Sequence, residues 1–176
     1  MAPRAVSAAG ASGSIDLEAA AAARQRLRAQ YLRAPGERPA STARGVHHLA
    51  LLCSDVERTI RFYQEFLGFP LVELFENRDY KGSTHLFFDL GHGNTLAFFD
   101  FPDLGLGPYA EVLGGFHHLA ISVGHEQWDA ARARLEEAGI PTQIESGISL
   151  YFSDPDGVRL ELIAEDLGSL YGTPLY

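Results

Sequence analysis

Val46-His47-His48-Leu49-Ala50-Leu51 recurs seventy positions later as Phe116-His117-His118-Leu119-Ala120-Ile121, and the likeness continues beyond the hexapeptide. Each copy runs from a short apolar strand into a helical stretch, over 55–67 and then 126–138, and each stretch closes on a glycine and a proline: Gly68 and Pro70, then Gly139 and Pro141. Those glycines stand where a helix C-terminus favours a left-handed residue. Ser54 and Glu57 have the spacing of a capping box at the first helix's start. Three strand-like segments follow in each copy, at 71–78, 84–90 and 95–101, then at 142–145, 149–152 and 158–163. Aligning Gly93 with Gly157 places Leu96 on Leu160 and Phe88 on Phe152. The pattern predicts an α+β fold of two tandem βαβββ modules that pack to share a core, because one repeat of about fifty residues cannot bury its own apolar face. Together they are expected to form a curved, cup-shaped mixed sheet.

The predicted boundaries are 45–103 for the first module, 104–115 for a linker, 116–166 for the second module and 167–176 for a tail. Residues 1–44 differ in composition, rich in Ala, Arg, Ser, Gly and Pro with Tyr31 the only aromatic, and read as an N-terminal extension. Strong helix formers over 14–33, with Leu17, Leu27, Tyr31 and Leu32, predict a helix there. Pro35, Gly36 and Pro39 end it. The length excludes two large independent domains, and 46% hydrophobic residues suffice for one good core. A formal charge of -9 argues against nucleic acid and anionic membrane as partners. No uninterrupted apolar run reaches the roughly 18 residues of a membrane span. Cys53, the sole cysteine, has no intramolecular disulfide partner, and the N-terminus lacks a secretory pattern. A cytoplasmic protein is expected.

Strand alternation puts His48, Ala50 and Leu52 on one face and His47, Leu49 and Leu51 on the other; the same parity separates His118 from His117. Within Leu160-Glu161-Leu162-Ile163-Ala164, Glu161 is a charge in an apolar run, and burying an unpartnered carboxylate costs several kcal/mol. Taken singly, each histidine is also accounted for as a hydrogen-bonded, half-buried side chain, and Glu161 as a carboxylate on a wet edge. Taken together, imidazoles at equivalent positions of two related strands and one carboxylate make a facial set for a divalent metal, with coordination positions left open.

The chain resembles the vicinal oxygen chelate superfamily, which contains glyoxalase I, bleomycin- and fosfomycin-resistance proteins, methylmalonyl-CoA epimerase and extradiol ring-cleaving dioxygenases. The resemblance rests on "HHLALLCSDVERTIRFYQEFLGF", "HHLAISV" and "LYFSDPDGVRLELI" and spans Gly45 to about Asp166. It implies metal ligands on the first and last strands of the modules, here His48, His118 and Glu161, the three that parity had also selected. Glyoxalase I has a fourth ligand, a Glu, at the position matched by Ala97, which weakens a glyoxalase reading. Leu150-Tyr151, Asp154-Pro155-Asp156-Gly157 and Glu161 resemble the extradiol signature, whose upstream histidine is missing at 142–144. That likeness implies Fe(II), with Mn(II) or Zn(II) as alternatives, and a small aromatic or oxygenated substrate bound through vicinal oxygens. Tyr151 is then expected to hydrogen-bond a substrate oxygen, or to be a core aromatic with its hydroxyl at the rim. His85, which matches Ser149 in the repeat, is expected as an acid/base in place of the missing histidine, or as a surface-satisfied imidazole.

His47 and His117 are expected to point away from the metal face, toward the module's helix or solvent, with support of the ligand histidines as the alternative, and Arg78 and Lys81 to sit at a solvated hairpin tip or to meet a substrate carboxylate. Rival functions are a redox-neutral reaction on the same metal, of lyase or thiol-transfer type, and metal-free sequestration of an antibiotic; the retained ligands argue against the last. A homodimer is expected, with the cup closed either within one chain or across two.

Overall fold

The computed structural model describes residues 15–175, so the predicted extension is seen only from Ile15 onward and its first fourteen residues lie outside the description. The chain divides into two compact units. One joins the described part of Met1–Thr42 to the tail from Gly168; the other is Ala43–Leu167. In the first, helix α1 (Leu17–Tyr31) starts on Asp16, whose side chain accepts from the amide of Ala19. A 3-10 turn (Pro35–Glu37) follows, and the tail forms a small hairpin, β9 (Ser169–Leu170) with β10 (Thr173–Pro174), to which Arg38 is tied through the Leu175 carbonyl at 2.6 Å.

The larger unit holds the duplication. Its first sheet contains β1 (His48–Leu52), β2 (Leu71–Glu76), β3 (Thr84–Asp89) and β4 (Thr95–Phe99) in the order β1-β4-β3-β2, with β1 and β4 parallel. The second contains β5 (Leu119–Ser122), β6 (Gln143–Glu145), β7 (Ser149–Ser153) and β8 (Arg159–Ile163) in the order β5-β8-β7-β6, with β5 and β8 parallel. The parallel pairs require the crossover that each module's helix supplies. These are the two mixed four-stranded sheets of an α+β protein.

In the first module the helix is α2 (Val56–Ile60), continued by a wider π turn over Arg61–Phe66 that the sequence pattern does not announce. In the second it is α3 (His125–Glu137). Gly68 (φ +84°) and Gly139 (φ +67°) take the left-handed conformation expected where the helices stop. The capping box is different from expectation. Asp55, not Ser54, caps α2 by accepting from the amide of Arg58, and Ser54 turns instead to the other module.

Period-two alternation divides each sheet into a core face and an outer face. Leu86, Phe88, Leu96 and Phe98 are fully buried on one side of the first sheet; Leu150, Leu160 and Leu162, with the buried Phe152, line the same side of the second. Burying each such side chain contributes roughly 1.5–3 kcal/mol. Tyr63 packs its ring against Phe98 (4.9 Å between centroids) and Phe88 (5.3 Å), while its neighbour Phe62 meets Phe152 of the second module (6.3 Å). Trp128 closes the second core and donates its indole N–H to the Leu162 carbonyl at 3.1 Å.

The Asp154-Pro155-Asp156-Gly157 turn ties the modules together. Asp156 accepts from the Ser54 amide (3.0 Å) and hydroxyl (2.5 Å) and pairs with Arg58 at 2.8 Å. Deeper in, the Tyr63 hydroxyl donates to Asp154 Oδ2 at 2.9 Å. Burial pushes the Tyr63 phenol well above its ordinary value, with the Asp154 charge acting the same way, so it remains a neutral donor. Burial also raises Asp154, against the lowering effect of hydrogen bonds from the Val158 amide, Tyr63 and the Asp156 amide. Tyr63→Phe removes one of those bonds and is expected to cost about 1–3 kcal/mol near neutral pH. Because the lost bond favours the charged carboxylate, the cost should shrink as pH falls through the Asp154 pKa and the group becomes neutral. Urea unfolding of wild type and variant at neutral and acidic pH measures this. Equal midpoints at neutral pH would mean that the bond contributes nothing.

Candidate metal centre

In the second module, His118 immediately precedes β5 and Glu161 occupies the middle of β8, level with Ala120 on one side and Tyr151 on the other. That register puts Ala120, Glu161 and Tyr151 on the face opposite the core. His118 Nε2 lies 2.9 Å from Glu161 Oε2. Glu161 is 5% exposed, so the carboxylate that was conspicuous in the sequence is buried, and His118 is its neighbour. Tyr151 joins them: its ring stands edge-on to His118 at 5.5 Å, and the Arg159 guanidinium lies 4.7 Å from its centre.

The corresponding face of the first sheet carries His48, Ala50, His85, Phe87, Ala97 and Phe99, since Ala97 is level with both Ala50 and Phe87, and His85 with Phe99. His85 stacks on Phe99 at 3.8 Å, with Phe87 at 4.3 Å and Phe75 at 5.2 Å. Its Nε2 is buried without a hydrogen-bond partner. Burial first, and then the nearby His48, hold the His85 pKa below its ordinary value. His48 meets Phe87 edge-on at 6.0 Å. This face is incompletely covered, for Phe75 is 42% and Leu52 46% exposed.

The five predicted residues therefore form two groups. His118, Glu161 and Tyr151 come together on the second sheet; His48 and His85 share a face of the first. Among the described residues, no three His, Cys, Asp or Glu side chains gather within the chain as a metal-holding set. The His118–Glu161 pair nonetheless suits an ion. Two donors at right angles around a cation, each about 2.1 Å from it, stand about 3.0 Å apart, and a buried carboxylate facing an imidazole nitrogen is a donor combination that divalent transition metals accept.

His47 and His117 depart from expectation. Each turns its Nδ1 onto the Nδ1 of the next histidine, at 2.8 Å for His47 and His48 and 2.7 Å for His117 and His118. His47 and His117 both lie just outside the start of their strands, where the side chain can reach back to the next residue in the chain. Arg159, also missed from the sequence, approaches His117 Nε2 at 3.5 Å. The doubled histidine in both repeats was the available signal. Arg78 pairs with Asp79 on an exposed turn, as a hairpin tip should.

A cleft of about 780 Å³ lies where the end of β1, the 102–116 connection and the Asp154–Gly157 turn meet; Ala50, Leu52, Arg58, Tyr109 and Asp156 line it and none of the five residues does. Cys53 also borders it, with burial pushing the thiol up to about 11, which keeps it protonated and unreactive at neutral pH.

Among the described residues no helix is long and apolar enough to cross a membrane. YwkD of Bacillus subtilis, an uncharacterized protein, is 33% identical over 125 residues, covering 68% of this chain and 95% of its own. MhqA of the same organism, a putative ring-cleaving dioxygenase, is 31% identical over 142 residues, covering 74% of this chain; the match spans only 43% of MhqA. The crystal structure of the fosfomycin resistance protein FosX from Listeria monocytogenes, complexed with Mn(II) and sulfate, superposes with a TM-score of 0.55 at 23% identity, covering 72% of this chain and 96% of FosX. That likeness is one of fold. Residues 45–162 match the family model described as Glyoxalase/Bleomycin resistance protein/Dioxygenase superfamily, which takes in both modules. With the duplicated βαβββ fold and these relatives, the chain belongs to the glyoxalase/bleomycin resistance/dioxygenase superfamily, the vicinal oxygen chelate group.

Proposed function

We propose that this protein is a metal-dependent dioxygenase of the extradiol type, acting on a small aromatic substrate that offers two adjacent oxygens. The ion is held by His118 and Glu161 of one copy and His48 of a second copy in a homodimer. One observation carries the preference for three protein donors. Ala97 occupies in the first sheet the place that Glu161 occupies in the second: each is on the last strand of its module, level with Ala50 or Ala120 on the parallel first strand. A methyl group there withholds a fourth protein donor and leaves coordination positions for substrate. The incomplete cover over Phe75 and Leu52 supports a second copy on that face.

A divalent ion bound by these groups supplies Lewis acidity, and as Fe(II) it also supplies a redox partner for O2. The protein's part is positioning. Glu161 and the two imidazoles fix the ion, while Tyr151, held between His118 and Arg159, presents its hydroxyl to a substrate oxygen. The rings of Phe75, Phe87 and Phe99 offer an apolar wall to an aromatic substrate. His85, kept neutral by its surroundings, can take a proton from a substrate hydroxyl at a nitrogen.

A redox-neutral reaction on the same three donors is the second reading, favoured by 32% identity to the metallothiol transferase FosB of Shouchella clausii over 67% of this chain and 78% of FosB. Oxygen uptake separates the two. Protein purified without oxygen, loaded with Fe(II) and given a panel of catechols, is expected to consume one O2 per ring opened and to produce the yellow ring-cleavage chromophore. Fully loaded protein that takes up no O2 with any catechol would overturn the dioxygenase assignment.

A further inference from the structure

We propose that His47 and His117 are positioning residues that determine which nitrogen of His48 and His118 is free to bind the ion; this rests on the metal-centre reading above. Both histidine pairs make the same contact, Nδ1 to Nδ1, at 2.8 Å in one module and 2.7 Å in the other. A neutral imidazole has one N–H and one lone pair, so such a contact holds a single hydrogen and one ring of each pair must accept. When the ligand histidine supplies that hydrogen, its lone pair is at Nε2, which in His118 is the nitrogen 2.9 Å from Glu161. The acceptor ring, His117, then carries its own hydrogen at Nε2.

The opposite order also leaves both rings neutral. His117 donates through Nδ1, the His118 hydrogen moves to Nε2 and points at the Glu161 carboxylate, and the Arg159 guanidinium, which can only donate, faces the His117 lone pair at 3.5 Å. This order suits the protein without metal. Loading thus selects one of two hydrogen arrangements of the same pair, and His117 is the hydrogen-bond acceptor that makes the ligating arrangement available. Outer partners of this type orient ligating imidazoles and raise their basicity.

Leucine and asparagine at position 117 separate accepting from filling space. Asn Oδ1 is as many bonds from the backbone as His Nδ1 and accepts the same hydrogen, whereas Leu places a methyl group there. With the full chain and Zn(II) as probe, measured by competition with a chromophoric chelator, His117→Leu is expected to weaken binding about 10–100-fold. His117→Asn should stay within about threefold of wild type, with the same contrast at position 47. Imidazole 15N shifts of the wild-type protein should place the His118 hydrogen on Nδ1 with Zn(II) and on Nε2 without it, a readout that does not depend on the variants folding. Equal weakening by Leu and Asn, or no tautomer change in wild type, would overturn the proposal. Normal Zn(II) binding by His117→Leu while His118→Ala loses the ion would also overturn it and leave the metal centre standing; Zn(II) retention by His118→Ala would instead remove the metal centre itself.

Discussion

Glu161→Ala is expected to lower Mn(II) and Fe(II) retention by at least about a hundredfold, since it deletes a charged donor outright where loss of an outer partner alone costs 10–100-fold. The fold should survive. Glu161 is 5% exposed and its carboxylate faces His118, so a buried charge is held at a desolvation cost that the alanine relieves, while His118, with 29% of its side chain exposed, can turn to water. The metal-free variant should therefore melt no lower than metal-free wild type, and metal should raise the melting temperature of wild type only. Glu161→Gln keeps the shape and one acceptor oxygen but removes the charge, and should fall nearly as far in affinity. Metal content after gel filtration, with melting curves in the presence and absence of Mn(II), checks both. A Glu161→Ala protein that keeps its metal would show that the carboxylate is buried for another reason; one that melts far below wild type without metal would make Glu161 a structural residue.

The features that were legible in the sequence are those expressed locally. The Val46–Leu51 and Phe116–Ile121 repeat sets two strands in register with two others, and the structure places them as β1 and β5, each parallel to the last strand of its module. Period-two alternation separated Leu160 and Leu162 from Glu161, and Gly68 and Gly139 marked where the helices end. The features that were not legible depend on partners far along the chain. Ser54 has the spacing of a helix cap, yet Asp156 outcompetes that role with an amide and a hydroxyl bond, while Asp55 takes the cap. No local pattern marks the π turn over Arg61–Phe66, or the hairpin made by only two residues on each strand of the tail. Strand parity assigns His47 and His117 to the face away from the site, but parity fixes only the face and not the contact between neighbouring rings, and at the open start of each strand these two side chains reach back to the next histidine.

Parity could also not say whether His48 meets His118 and Glu161 in its own chain or in another. It tells which face of a sheet a side chain takes and nothing about which sheet that face will oppose. The same three residues can form a site within a chain or across two, and Phe75 and Leu52, exposed on the sheet face that also carries His48, favour the second.

Complementation between two defective proteins tests this most directly. His48→Ala and Glu161→Ala homodimers should each bind almost no Mn(II), because every site in them lacks one donor. In a heterodimer of the two, isolated through a different tag on each chain, one site across the interface has lost both donors and the other has lost neither. The prediction is about one Mn(II) per heterodimer, against about two for wild type, with oxygen uptake on a catechol returning to about half the wild-type level. A heterodimer that binds no Mn(II), alongside wild-type dimers that bind two, would contradict the account, because it would place all the donors of each site within one chain.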